Sequence, residues 1–236
     1  MVEHRKHRRK RSRNSREHPG KTGANAGAPD RRPAPPRTWA HALARWMILP
    51  LVNTSVTPNQ ITTIRLITGI LAAGMFAAGS QTITVLAGWM FMFSALIDRA
   101  DGELARLSGR TSPGGHAYDF KCDAVSSSLV FLGIGIGLRF GSIGWGSAVL
   151  GLIACASVGA IYWIVTRIEG AKRDGKPVFT GVGRFDPDDA LFLLGPVAWM
   201  GDMGLWPLLV SAAIGAPLFA AWAIYRDRRF LFPATR

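Results

Sequence analysis

Residues 98–123 read "DRADGELARLSGRTSPGGHAYDFKCD" and carry four aspartates, Asp98, Asp101, Asp119 and Asp123. Residues three or four apart share one face of a helix, so Asp98 and Asp101 form one pair and Asp119 and Asp123 another. Gly102 and Ala105 lie at the next helical contacts after the first pair, and Gly115 one turn before the second. Two helices meeting here would aim four carboxylates at a common point, and those charges repel unless cations neutralise them. Hard divalent ions such as Mg²⁺ take oxygen ligands and bind through carboxylates together with substrate phosphates. A pair of such ions can clamp a phosphoryl group during a displacement. The small residues leave the helix backbone open to a bulky ligand, and Arg106 offers a bidentate contact to phosphate. The competing reading is a solvated interfacial cluster in which the carboxylates pair with Arg99, Arg106, Arg110 and Lys121. Ionisable residues near membrane depth are commonly functional, which weighs against it.

The elements that must position these residues are membrane helices. The chain has 236 residues, 48% hydrophobic and only 18% charged, too apolar for an ordinary soluble domain. A bilayer core asks for about 20 mostly apolar residues per helix. "QITTIRLITGILAAGMFAAG" (60–79) is one such stretch, and "TITVLAGWMFMFSALI" (82–97) runs directly into the aspartates. Residues 124–141, 143–165 and 205–225 supply three more, and 189–201 is a short one carrying Pro196. Upstream, "TWAHALARWMILPLV" (38–52) sets apolar residues on one side and Arg45 on the other, as an interfacial helix does. The expected fold is an all-α integral membrane protein, six transmembrane helices preceded by an interfacial amphipathic helix. Small residues, as in "AAGMFAAG" and "GIGIG", let such helices approach closely.

Charge sets the orientation. With the N-terminus inside, six spans put residues 98–123, 167–188 and 226–236 in the cytoplasm, where the loop Lys and Arg residues concentrate; the opposite side has only Arg139. The aspartates and both termini are then cytoplasmic, in an inner (cytoplasmic) membrane. Residues 1–45 hold 13 Lys/Arg against Glu3, Glu17 and Asp30, which is +10 of the chain's formal +13. Through the proline-rich "APDRRPAPPR" this tail is too polar to bury and is predicted to be disordered. Positive-inside charge touching anionic headgroups accounts for it, and no nucleic-acid partner is expected. No apolar core follows the basic run closely enough for a cleavable signal peptide. Cys122 and Cys155 suggest neither a disulfide framework nor a zinc site. The expected organisation is a tail at 1–37, the interfacial helix at 38–56, a six-helix domain at 57–228 and a cytoplasmic end at 229–236.

The aspartate segment resembles the signature of the CDP-alcohol phosphatidyltransferase family, D-x2-D-G-x2-A-R-x8-G-x3-D-x3-D. Asp98, Asp101, Gly102, Ala105, Arg106, Gly115, Asp119 and Asp123 occupy all its fixed positions. The likeness extends more weakly through "TPNQITTIRL" (57–66) and the six-span pattern. It implies that Asp98, Asp101 and Asp119 hold divalent metals, Mg²⁺ or Mn²⁺ and two ions. Asp123 would complete the metal site and act as general base on the acceptor hydroxyl. Gly102, Ala105 and Gly115 would line the CDP pocket, with Arg106 supporting it. The implied reaction is attack of an alcohol on the pyrophosphate of a CDP-linked substrate, releasing CMP, in phospholipid biosynthesis. The partners are a CDP-linked lipid substrate, a polar alcohol acceptor, membrane lipids and, by the same resemblance, a second copy in a homodimer.

The loop "TRIEGAKRDGKPVFTGVGRFDPDD" (166–189) bears on the acceptor. Arg167, Lys172, Arg173 and Arg184 could hold an acceptor phosphate such as that of glycerol 3-phosphate or inositol phosphate, or merely supply positive-inside charge; both readings stand. Asp186 as N-cap and Pro187 at the first helical position start the segment that follows. After Gly115 the sequence lacks the "LDP…DK" of phosphatidylglycerophosphate synthases. It looks more like the inositol-phosphate and ethanolamine or choline phosphotransferase members. His116 reads as an interfacial residue more readily than as a substrate contact. Within the class, the alternative is a CDP-ethanolamine or CDP-choline donor with a lipid alcohol. Outside it stand a cation transporter using the aspartates, against which the small residues argue, and a nucleic-acid binder resting on the tail alone.

Overall fold

The computed structural model describes residues 38–171 and 187–231. The tail at 1–37 and, in the basic loop, Lys172, Arg173, Arg184 and Asp186 lie outside the described residues. Among the described residues there is no strand. Helix α1 runs Trp39–Ile48, α2 Pro58–Ala77, α3 Gln81–Ser108, α4 Pro113–Gly137 and α5 Gly146–Ala171. A 3₁₀ stretch, Pro187–Leu193, leads into the short α6, Leu194–Trp199, and α7 runs Asp202–Leu231. The boundary expected at residue 228 therefore falls inside α7.

Five helices, α2 to α5 and α7, are long and apolar enough to cross a membrane. Lipid offers no hydrogen bonds, so each must satisfy its backbone internally, which a helix does. Many large apolar side chains point outward: Ile64, Ile67, Leu71, Trp89, Leu152 and Leu218 are all exposed. The interior combines buried large side chains such as Phe76, Phe91, Ile134 and Leu209 with small residues at the closest helix contacts. A Cβ on Gly133 would overlap the Ala73 carbonyl, and one on Gly135 would fall 2.6 Å from the Ser147 carbonyl oxygen and 2.7 Å from Gly151 Cα. Backbones of α2, α4 and α5 thus touch directly, as small-residue helix packing requires. Gly133→Val is expected to destabilise the fold by about 1–3 kcal/mol, the usual cost of forcing extra methyl groups into a packed interior. Gly74→Ala, which meets nothing within 4 Å, is the matched control. Thermal unfolding in detergent compares the two.

The expected fifth span, 189–201, is the short one. It lies along α3 in the reverse direction. Asp189 Oδ1 is 3.6 Å from Arg99 Nη2, the Trp199 ring is centred 4.8 Å from that of Trp89, and Gly201 sits against Gln81. Few residues reach so far because half of them are 3₁₀, rising about 2.0 Å per residue against 1.5 Å in an α-helix. Ile164 and Ile168 of α5 pack with Ala220 and Ala223 of α7 at the far end of both helices.

Local signals fix the helix ends nearest the aspartates. Gly109, at φ +68°, ends α3 in the left-handed conformation that favours glycine. Ser112 caps α4 by accepting from the Gly115 N–H at 3.0 Å, with Pro113 opening the helix. Thr57 and Gln60 form a reciprocal capping box on α2. Arg110 donates to the backbone carbonyls of Val56, at 2.9 Å, and Thr54, at 3.2 Å, fastening the α3–α4 turn to the chain entering α2. At the opposite end, Arg139 donates from Nη1 to the carbonyls of Ala77 and Ile136, each at 2.7 Å, which gives carbonyls at the ends of α2 and α4 a side-chain donor.

Helix α1 buries Ala40, Ala44 and Ile48. Trp39, Leu43 and Trp46 are exposed. Arg45 ties it to α3, its Nε donating to Glu103 Oε2 at 2.7 Å, and His41 Nδ1 lies 3.3 Å from Glu103 Oε1.

Candidate active site

Helix α3, 28 residues long, does not stop at the end of its apolar stretch but runs on to Ser108 through the first half of the signature. After the tight turn, α4 carries the second half. Asp98, Asp119 and Asp123 consequently converge, each offering one carboxylate oxygen within 4.8 Å of the others. Asp101 lies one turn further along α3, only 3% exposed, with its carboxyl beside that of Asp119. Thr62 of α2 donates its hydroxyl to Asp101 Oδ2. The carboxylates are half-buried or buried, in a setting where unneutralised charge is expensive.

Cations reach the cluster from two helices. Arg65 of α2, 3% exposed, places Nε 2.8 Å from Asp98 Oδ1 and Nη1 2.6 Å from Asp123 Oδ1. Ser94 donates to the Arg65 carbonyl at 2.9 Å, tying α3 to α2 at the same level. Arg99 pairs with Asp98 Oδ2 and reaches the buried Asp189 at 3.6 Å. Arg106 and Arg110 do not join the aspartates. Arg106 donates to Glu103 Oε1 at 2.6 Å, and Arg110 bonds backbone. An interfacial cluster neutralised by the signature's own arginines and Lys121 is therefore not what folds; Arg99 alone of that set pairs with an aspartate among the described residues.

Gly102 and Gly115 are half-buried; a Cβ on Gly102 would come 3.5 Å from Arg106 Nη1, and one on Gly115 would come 3.2 Å from Asn59 Oδ1. Ala105 is half-buried and Arg106 exposed on the same stretch of α3. His116 is exposed, its ring centred 6.4 Å from that of Phe120. Of the four cations assigned to the acceptor, Arg167 alone is described. It is exposed, with its guanidinium 5.3 Å from the centre of the Trp163 ring.

Three residues of this constellation carry no mark in the signature: Arg65, Thr62 and Glu103. The signal for Arg65 was its solitary charge inside the apolar stretch 60–79, since an intramembrane ionisable residue is costly without a partner. Thr62 and Glu103 have no comparable flag.

Carboxylate oxygens thus converge from two helices, near the small residues Gly102, Ala105 and Gly115 of the same two helices. The family model for CDP-alcohol phosphatidyltransferases matches residues 55–223, and the chain belongs to that family. Among curated relatives, a bifunctional IPC transferase and DIPP synthase of Rubrobacter xylanophilus is 29% identical over 167 residues, 70% of this chain and 36% of that protein. An archaetidylinositol phosphate synthase of Pyrococcus horikoshii is 34% identical over 103 residues, 44% of this chain and 52% of that protein. Cholinephosphotransferase 1 of Danio rerio is 36% identical over 90 residues, 35% of this chain and 24% of that protein. The chain thus spans about half or less of the length of these relatives. The Mycobacterium tuberculosis phosphatidylinositol phosphate synthase PgsA1, solved with CDP-DAG bound, shares the fold at a TM-score of 0.59 and 20% identity, over 84% of this chain and 99% of that one. The same enzyme with manganese and citrate gives 0.59 and 21%.

Proposed function

We propose that the chain transfers a phosphatidyl group from CDP-diacylglycerol to the hydroxyl of a polar acceptor and releases CMP, a step of phospholipid biosynthesis. The convergence of Asp98, Asp119 and Asp123 within 4.8 Å, near the small residues Gly102, Ala105 and Gly115, carries this reading. The donor set fits Mg²⁺ or Mn²⁺: it is all oxygen, anionic and reinforced by Asp101. Asp98, Asp101, Asp119 and Asp123 would hold two such ions. Bound there, they would neutralise the pyrophosphate and the charge that develops on the departing CMP.

The chain's own residues do the rest. Gly102, Ala105 and Gly115 admit the cytidine nucleotide against the backbone, and Arg106 lies over that face, steadied by Glu103. Asp123 takes the proton of the acceptor hydroxyl as its oxygen bonds to the phosphorus that carries the diacylglycerol. The bond from that phosphorus to the bridging oxygen breaks, and the oxygen leaves with CMP. Most of the work is positioning and electrostatics. The Lys/Arg distribution puts this end of the helices in the cytoplasm, and the 187–199 segment would then make the sixth crossing.

The inositol phosphate, archaetidylinositol phosphate and IPC/DIPP relatives favour an acceptor of the inositol phosphate class, with Arg167, Lys172, Arg173 and Arg184 on its phosphate. The cholinephosphotransferase relatives support the second reading, a CDP-choline or CDP-ethanolamine donor with a lipid alcohol. The test is CMP release by detergent-purified protein with CDP-diacylglycerol, Mg²⁺ and, in turn, inositol phosphate, glycerol 3-phosphate, inositol, serine and glycerol. Release that requires one acceptor establishes the reading. Silence across the panel, with release from CDP-choline and diacylglycerol, replaces it with the second.

A further inference from the structure

Arg65 stands out because it is a full positive charge, almost wholly buried, placed on two of the carboxylates expected to bind metal. Its Nε meets Asp98 and its Nη1 meets Asp123, so one guanidinium spans α2, α3 and α4. Asp98 is engaged on both oxygens, by Arg65 on Oδ1 and by Arg99 on Oδ2. Among the described residues no guanidinium forms an ion pair with Asp101 or Asp119 in the same way. The cluster is therefore lopsided. One side is already occupied by a fixed cation, and the other offers carboxylates to an ion from solution.

We infer that Arg65 is a built-in counter-cation on the Asp98–Asp123 side, which lets the free protein load one divalent ion and admits a second only together with a diphosphate. This rests on the reading of the four aspartates as metal ligands. Charge decides it. Arg99 is balanced by the buried Asp189, so the four aspartates and Arg65 carry a formal charge of −3. One divalent ion lowers that to −1. A second would leave the half-buried site at +1, close to a guanidinium that cannot give up its proton. The donor's pyrophosphate diester supplies two negative charges and CDP about three, and with either the second ion is electrostatically welcome again. Without Arg65, the aspartates alone would match two divalent ions. Screening by water is weak at such a site, so one unit charge a few ångströms from a divalent ion changes its affinity by at least tenfold. The arrangement would also give order to the reaction, since the metal pair would be complete only once the donor's diphosphate is in place.

The test counts protein-bound Mn²⁺ by equilibrium dialysis and electron paramagnetic resonance on the full chain in detergent, with and without CDP, which carries the diphosphate without the lipid. Wild type is expected to bind one ion tightly and a second at least tenfold more weakly, with CDP removing that gap. Arg65→Gln is expected to bind the second ion at least tenfold more tightly than wild type in the absence of CDP, whereas Arg65→Lys, which keeps the charge, should still depend on CDP. Two equally tight ions in wild type without CDP would overturn the inference while leaving the metal site intact. So would an Arg65→Gln titration indistinguishable from wild type. No bound Mn²⁺ under any condition would overturn the metal assignment itself, and this inference with it. If Arg65→Gln does not fold, the wild-type and Arg65→Lys titrations decide the matter.

Discussion

Asp123→Asn should lower the rate of CMP release by about 10²- to 10⁴-fold, the range attributable to a positioned general base. Asparagine keeps the shape of the side chain but cannot accept the acceptor's proton, and it is a weaker ligand for a hard cation. The side chain is well placed for proton transfer. It is 21% exposed against 11% for Asp98, so an acceptor hydroxyl can approach it while its other face is held by Arg65. Two roles, base and metal ligand, are separated by measuring Mn²⁺ binding on the same variant. Retained binding with lost turnover assigns Asp123 as the base. Loss of both in proportion makes it a ligand only. An asparagine variant with more than a tenth of wild-type activity would remove Asp123 from the chemistry altogether.

Divalent cations should also stabilise the folded protein. Four carboxylates on two adjacent helix ends repel each other, and an ion that binds only where α3 and α4 bring them together shifts the folding equilibrium toward that arrangement. At an ion concentration 100 times the dissociation constant this linkage is worth about 2.7 kcal/mol. For a domain of this size that corresponds to a rise in Tm of about 5–10 °C. Thermal unfolding in detergent, with Mg²⁺ or Mn²⁺ against EDTA at matched ionic strength, reads the shift directly. Asp119→Asn should lose most of it, because Asp119 sits in the converging group and, like Asp101, has no guanidinium ion pair among the described residues. An equal shift with KCl would mean general screening and would count against a bound ion.

Much of the site was legible in the chain because its determinants are local. The spacing of Asp98 and Asp101, and of Asp119 and Asp123, follows helix periodicity. The exact ends of the two helices, at Gly109 and at Ser112 and Pro113, came from the structure. The long apolar stretches had to become helices, because in lipid each backbone must bond to itself. The short 187–199 segment was harder to read: composition shows that it is apolar, but its 3₁₀ first half follows from running along α3 between the levels of Arg99 and Gln81.

Arg65 on Asp98 and Asp123, Thr62 on Asp101, Arg99 on Asp189 and the Arg45–Glu103–Arg106 link were decided by the tertiary structure alone. Helical spacing says which residues share a face of one helix. It is silent about the rotation and depth at which two helices meet. Those are set by backbone contacts such as Gly133 on Ala73 and Gly135 on Gly151, and with them which of these distant charges meet.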